Sequence, residues 1–141
     1  MLVLSRDAYR AIVAHAEDDA PREACGVLAG RIADDTATVR TAYPTENVAD
    51  APRVAYVIDP EDQFEVMETI EAHDQSVVGF YHSHPAGPAG PSRTDAERAT
   101  WPDRHYLVVS LARRPPTLDA WRFTDDGFVA DDVRVAPPGP E

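Results

Sequence analysis

The chain has 141 residues and a formal net charge of −12, with 25 acidic residues against 13 basic ones, all of them arginine. Such an acidic surface repels nucleic acid and anionic membranes, which excludes both as partners. No apolar run reaches the ~18 residues of a transmembrane helix, the N-terminus lacks a signal-peptide pattern, and Cys25, the one cysteine, cannot form an intramolecular disulfide. We therefore expect a cytoplasmic protein with one domain over residues 1–135 and a flexible Pro-rich tail over 136–141.

Helical patterns begin at two clear capping signals. Ser5 suits the N-cap of a first helix. Its buried face is predicted from apolar residues at helical spacing, Tyr9, Ile12, Val13 and Ala16. Asp59 as N-cap and Pro60 at the first helical position predict a second helix. Its buried face is predicted to hold Phe64, Met67 and Ile70. A short third helix is predicted from about Arg93 to Thr100.

The other apolar runs predict strands. They are Leu2–Leu4, Cys25–Arg31, Ala37–Tyr43, Val54–Ile58, Val77–Tyr81, Tyr106–Leu111, Leu118–Phe123 and Phe128–Val135. Val77–Tyr81 is apolar throughout, as in a central strand covered on both faces. The order of helices and strands predicts a single-domain, layered α/β fold, with a mixed, mostly antiparallel sheet flanked by helices.

The absence of lysine indicates an unusual environment. Codon bias can replace lysine by arginine, but it does not account for 16 aspartates. An acidic, lysine-free surface suits concentrated salt, where the screening length falls to ~3 Å and self-repulsion is weak. We therefore expect a halophilic source.

One segment carries candidate chemistry. His82 and His84 are two residues apart at a strand end, so both imidazoles can lie on one face. Asp95 follows a Pro/Gly-rich loop. Two histidines and a carboxylate leave the fourth zinc position open, as in catalytic zinc sites. Each part also has an ordinary structural interpretation. His-x-His can be a pair of surface residues at a strand end, and Ser92-x-x-Asp95 resembles a capping box. Together at these offsets they arise by chance roughly once in 1,500 such chains.

The pattern His-Ser-His, seven residues, Ser, two residues, Asp resembles the signature of the JAMM (MPN-plus) metalloproteases, which are zinc isopeptidases. Glu23 opens the segment Glu-Ala-Cys-Gly-Val-Leu-Ala-Gly, which matches the family's upstream glutamate motif at every fixed position. The resemblance extends over about Leu2 to Phe123. It implies an MPN-like fold and Zn²⁺ held by His82, His84 and Asp95.

The resemblance also implies roles for the remaining site residues. Glu23 would be the general base for a zinc-activated water. Ser92 would donate a hydrogen bond to the oxyanion.

Ser83 should point away from the ligands, and Cys25 is interpreted as a buried packing residue, because no basic neighbour would lower its pKa. His15, His73 and His105 lack partners at ligand spacing and are interpreted as structural or surface residues.

The implied substrate is a ubiquitin-like protein joined through its C-terminal glycine, with archaeal small modifier proteins and their lysine conjugates as natural candidates. An extended tail could add to a strand edge, for which we expect Val54, Tyr56 and Ile58 to contribute. A second interpretation keeps the site but trims a sulfur-carrier protein or its linear fusions. A third is a non-catalytic scaffold, although every motif position is filled here. The sequence does not determine the oligomeric state.

Overall fold

The computed structural model describes residues 1–87, 95 and 101–137. In this part of the chain, eight strands form one sheet and two helices pack on it. The helices are α1 (Arg6–Asp19) and α2 (Pro60–Ala72). The strands are β1 (Leu2–Leu4), β2 (Cys25–Ala33), β3 (Thr36–Thr45), β4 (Ser76–His84), β5 (His105–Ser110), β6 (Thr117–Thr124), β7 (Gly127–Asp131) and β8 (Val133–Val135). The predicted α/β class is confirmed.

The strands follow the order β7-β6-β5-β4-β2-β3-β1-β8 across the sheet. Four of the seven neighbouring pairs are antiparallel, and β1–β3, β1–β8 and β4–β5 are parallel. Strand β4 lies between β2 and β5, and its residues from Val78 to His84 are buried, as predicted for a central strand. The prediction of one strand over Phe128–Val135 is wrong, because the chain passes at Asp132 from β7 at one edge to β8 at the other.

Helix α1 begins at the predicted cap, where the Ser5 hydroxyl accepts a hydrogen bond from the Ala8 N–H at 3.1 Å. Its buried residues are Ala8, Ile12 and Ala16, which join one core cluster with residues of β1, β3 and β4. Tyr9 and Val13 are only partly buried, so the buried face is rotated slightly from the prediction. This cluster fills the α1 side of the sheet.

Helix α2 covers the other side. Asp59 accepts a hydrogen bond from the Glu61 N–H at 3.0 Å, which confirms the predicted cap. Ile70, Met67 and Val66 pack with aromatic residues of the sheet. The prediction that Phe64 is buried is wrong, because its side chain is 65% exposed. At ~100° per residue, Phe64 lies roughly 110° around the helix from the centre of that packed face.

The segment before α2 is a loop, so the prediction of a strand over Val54–Ile58 is wrong. The N–H groups of Val54 and Ala55 both donate to the carbonyl of Ala51, which makes a turn. Only Ile58 forms an isolated antiparallel bridge, with Asn47. The Asn47 side chain makes hydrogen bonds to the backbone that a strand would have used.

Three expectations concern residues outside those described. They are the role of Ser92, the helix predicted over residues 93–100 and the end of the tail at 138–141. Of the predicted helix, only Asp95 is described, and it is helical. Within the described ranges, neither helix has the length and apolar character needed to cross a membrane.

Candidate metal centre

Strand β4 ends with the two histidines of the His-Ser-His segment. His82 and His84 are alternate residues of the strand, so their side chains leave the sheet on one face. It is the face on which Phe80 packs against α2. Their ring centroids lie 5.0 Å apart, and both side chains are buried. Strand β5 pairs with both residues and β2 pairs with His82, so the sheet fixes their backbone.

Asp95 faces both imidazoles. Its Oδ2 lies 2.9 Å from Nε2 of His82 and 3.3 Å from Nε2 of His84. The carboxylate is as buried as the histidines, with 6% of Asp95 exposed. The fold therefore brings the three predicted ligand residues together, with one carboxylate oxygen shared by two ring nitrogens.

Glu23 is the fourth member of the cluster and lies just before β2. Its N–H donates to the carbonyl of Pro52 at 2.7 Å, and its own carbonyl accepts from Asn47 Nδ2 at 2.9 Å. The next residue, Ala24, donates its N–H to Ser83 Oγ at 2.8 Å and accepts from the Ser83 N–H at 3.0 Å. Ser83 thus holds the Glu23 segment beside the two histidines, which is a structural role.

These four side chains can surround one ion. Glu23, His82, His84 and Asp95 each offer a ligand atom, and the four atoms lie within 4.8 Å of one another. Within the described part of the chain, Glu23 Oε1 is buried without a hydrogen-bond partner. A buried polar atom of this kind is costly unless a ligand satisfies it. Imidazole and carboxylate are the ligands of catalytic zinc sites, so the residues fit a metal ion.

Burial sets the protonation of the site. It raises the pKa of the Glu23 carboxyl to about 7, against the opposing effect of His84 and with a smaller contribution from Asp95. Burial also lowers the pKa of His82, although the adjacent Asp95 favours the imidazolium. The neutral imidazole is the form that binds metal. Burial raises the pKa of the Cys25 thiol to about 11, which agrees with the interpretation of Cys25 as a packing residue.

Comparison with known proteins identifies the family. The family described as prokaryotic homologs of the JAB domain matches residues 5–124. The chain belongs to this family. A desampylase from Haloferax volcanii is 46% identical over 131 residues, which are 90% of this chain and 91% of the relative. A CysO-cysteine peptidase from Mycobacterium tuberculosis is 40% identical over 138 residues, which are 96% of this chain and 91% of the relative. A solution structure from Desulfitobacterium hafniense has a TM-score of 0.89 at 31% identity, covering 98% of this chain and 94% of that one.

Membership in the JAB family confirms the resemblance carried by the histidines, Asp95 and the Glu23 segment. The chain is accordingly a hydrolase of the peptidase and isopeptidase class. The four-residue cluster is its candidate metal-binding site.

A cavity of about 220 Å³ lies beside the cluster of this JAB-family protein. Its lining is mostly apolar and aromatic: Tyr56, Val57, Ile58, Gln63, Phe80, Trp101 and Tyr106. Two of the three residues predicted for substrate binding, Tyr56 and Ile58, therefore lie at this cavity. The third, Val54, does not line it and is 71% exposed.

Sequence reasoning did not predict the contacts that two residues, Tyr56 and Asn47, make around the site. The Tyr56 ring stacks on the His82 ring, with centroids 4.4 Å apart and planes at 22°. Asn47 is buried and connects the Glu23 segment to the loop that carries Tyr56. An asparagine in a polar loop is a weak signal for such a role, and no local pattern relates Tyr56 to His82.

The remaining histidines have structural partners. His15 Nδ1 lies 2.8 Å from the Tyr81 hydroxyl, and His73 Nδ1 lies 2.8 Å from the Thr69 carbonyl. His105 lies 2.8 Å from Asp131. None of the three belongs to the four-residue cluster.

Proposed function

We propose that this protein is a zinc-dependent isopeptidase that removes ubiquitin-like small archaeal modifier proteins from lysine conjugates. The observation that carries the proposal is the buried cluster of two imidazoles and two carboxylates, in which one Glu23 oxygen has no hydrogen-bond partner among the described residues. The similarity to the Haloferax volcanii desampylase over 90% of the chain supports the substrate class.

His82, His84 and Asp95 would hold the zinc ion, since their ligand atoms already converge. Zinc bound there would lower the pKa of water and polarise the scissile carbonyl. The protein surrounds this position with buried side chains, which strengthens electrostatic interactions within it.

Glu23 would act as the general base. Its free oxygen can accept a proton from the attacking water and then deliver it to the departing lysine amine. A pKa of about 7 suits both transfers, because a group near neutral pKa both gains and loses a proton readily at the working pH. Ser92 would donate a hydrogen bond to the oxyanion, a role that stays a prediction from the sequence motif.

The modifier tail would dock along the backbone of Tyr56 and Ile58. In the structure as described, neither residue has a backbone hydrogen bond, whereas the N–H of Val57 is bonded to Asn47 Oδ1 at 3.0 Å. An extended peptide can pair with such an edge by strand addition. Although Val54–Ile58 is not a strand, the unpaired groups at Tyr56 and Ile58 lie next to the cavity and His82.

A second candidate function is trimming of a ubiquitin-like sulfur-carrier protein or its linear fusions. The observation that favours it is the 40% identity with the CysO-cysteine peptidase over 96% of the chain. The two candidates share the site and differ in the leaving group. Relative cleavage rates of a lysine-conjugated modifier and a linear fusion of the same modifier would separate them.

The test combines zinc content with cleavage by the wild type and Glu23→Gln. We expect about one zinc per chain in both proteins, and a loss of about 10²–10⁴-fold in cleavage for Glu23→Gln. Stoichiometric zinc with equally inert proteins on several modifiers would support a non-catalytic scaffold instead. An active, metal-free wild type would overturn the zinc assignment.

We also propose that the protein works in the cytoplasm of a salt-accumulating cell. Its net charge of −12 and its similarity to a Haloferax volcanii protein support this environment. Salt screens the repulsion between surface carboxylates, so the melting temperature should rise between dilute buffer and molar KCl. A melting temperature that does not depend on KCl would contradict the proposal.

A further inference from the structure

The imidazole of His82 is held in an unusual way. Its Nε2 faces Asp95, but its Nδ1 is buried and has no hydrogen-bond partner among the described residues. A metal-binding histidine ordinarily donates its second ring N–H to a carboxylate, a carbonyl or water, which fixes the orientation of the ring. In the ranges that the structure describes, His82 has no such contact, so we look for another interaction that sets its orientation.

The only aromatic ring in the described structure that stacks face to face with His82 is that of Tyr56. The centroids lie 4.4 Å apart and the planes make an angle of 22°. Offset stacking at this distance is favourable and depends on ring orientation. The stack therefore restricts rotation of the His82 ring, which a hydrogen bond at Nδ1 would otherwise do.

Tyr56 is itself held firmly. Asn47 accepts from the N–H of Val57 at 3.0 Å and donates to the carbonyl of Ala55 at 3.0 Å, so it holds both neighbours of Tyr56. The same amide donates to the carbonyl of Glu23 at 2.9 Å. One buried side chain thus fixes the backbone beside Tyr56 and the backbone of the candidate base.

We propose that Tyr56 is a positioning residue whose ring orients His82 for metal binding, in place of a hydrogen bond at Nδ1. The inference rests on the proposed function, because it assumes that His82 binds zinc. The role belongs to the ring and not to the hydroxyl, because the ring is the part of Tyr56 that stacks on His82.

The test measures metal binding directly. Zinc affinity is determined by competition with a chromophoric chelator, and the geometry of the site by the visible absorption spectrum of the cobalt(II)-substituted protein. Tyr56→Leu and Tyr56→Met remove the ring, and Tyr56→Phe keeps it. Ile58→Ala is the matched control, because Ile58 lines the same cavity without stacking on His82.

We expect the Leu and Met variants to bind zinc about tenfold to a hundredfold more weakly and to show an altered cobalt spectrum. Tyr56→Phe and Ile58→Ala should match the wild type in both measurements. The use of two non-aromatic variants guards against one that fails to fold, which circular dichroism would detect.

Three outcomes would overturn the inference: wild-type zinc affinity in a folded non-aromatic variant, equal weakening by Tyr56→Phe, or equal weakening by Ile58→Ala. A wild-type protein that binds no zinc would instead refute the proposed function. The two failures are therefore distinguishable.

Discussion

Two histidine–aspartate pairs in this protein have nearly equal lengths and different surroundings. In the metal centre, Nε2 of His82 lies 2.9 Å from Asp95 Oδ2. Near the starts of the parallel strands β4 and β5, Nε2 of His105 lies 2.8 Å from Asp131 Oδ2. Asp131 also accepts from the N-terminal ammonium at 3.0 Å and from the Asp132 N–H at 2.8 Å. Both oxygens of Asp131 are therefore satisfied by the protein.

The metal centre has a different arrangement. Two imidazoles share one oxygen of Asp95, and in the part of the chain that is described His82 Nδ1 and Glu23 Oε1 are buried without partners. Such groups destabilise a fold unless a ligand compensates. A His–Asp contact alone therefore does not distinguish a functional site from a structural one, whereas buried atoms without partners around it do.

The largest effect should come from exchanging the two aspartates for asparagine. Asp95→Asn should lower kcat/KM for a modifier conjugate by about 10³-fold, because it removes a charged metal ligand and several kcal/mol of transition-state stabilisation. Asp131→Asn should leave kcat/KM within about twofold. A rate assay on zinc-loaded proteins, with zinc content measured in parallel, checks both values.

Equal losses of activity in the two variants would contradict this distinction between the two aspartates. The Asp131 pair would then contribute to catalysis, and the satisfied state of its hydrogen bonds would not mark a structural role.

The next largest effect is on stability, where Asp131→Asn should be the more damaging of the two substitutions. Asp131→Asn should lower the free energy of unfolding of the metal-free protein by about 1–3 kcal/mol, since it weakens charged hydrogen bonds. Asp95→Asn should lower the free energy of unfolding by less, because without metal the Asp95 carboxylate lies close to the Glu23 carboxylate. Urea denaturation near neutral pH measures both differences.

The pH dependence of the Asp131 effect provides the control. Partial burial by itself raises the pKa of Asp131, but hydrogen bonds from His105 and the N-terminal ammonium outweigh it and lower the pKa to about 2. Because the pKa is lower in the folded protein, the carboxylate stabilises the fold at pH values above ~3.9, which is the pKa of Asp in the unfolded chain. That contribution is lost as the pH falls through about 2. The difference between wild type and Asp131→Asn should therefore shrink in acid, and a difference that persists below pH ~2 would contradict the assignment.

Much of the candidate site was predictable because local spacing determines it. His82 and His84 share a face in any strand, and Ser5 and Asp59 cap helices through bonds to residues two or three positions away. The approach of Glu23 to the two histidines is a long-range contact, and only the resemblance of its segment to a known motif indicated it.

The wrong predictions arose where tertiary contacts overrode local patterns. Val54–Ile58 has the apolar residues of a strand, but the Asn47 side chain takes its backbone hydrogen bonds. Phe64 has helical spacing with Met67 and Ile70, yet the sheet contacts a face of α2 turned away from it. The stack of Tyr56 on His82 joins residues 26 positions apart, and no periodicity predicts it.

The smallest expected effect is on the stability of the metal-free protein, which should depend on pH in opposite directions at Glu23 and at Asp131. Because burial raises the pKa of Glu23 to about 7, the folded metal-free protein holds a proton that the unfolded chain releases near pH ~4.3. The contribution of Glu23 to stability is thus present at low pH and is lost as the pH rises through about 7, opposite to that of Asp131. Between pH ~6 and ~8, metal-free wild type should lose about 1 kcal/mol relative to Glu23→Gln. Thermal denaturation after chelation measures this as a few degrees of melting temperature. Asp131→Asn should keep a constant difference in stability from wild type over the same pH range. If the stability curves of wild type and Glu23→Gln are parallel instead, the buried oxygen of Glu23 does not distinguish the two sites.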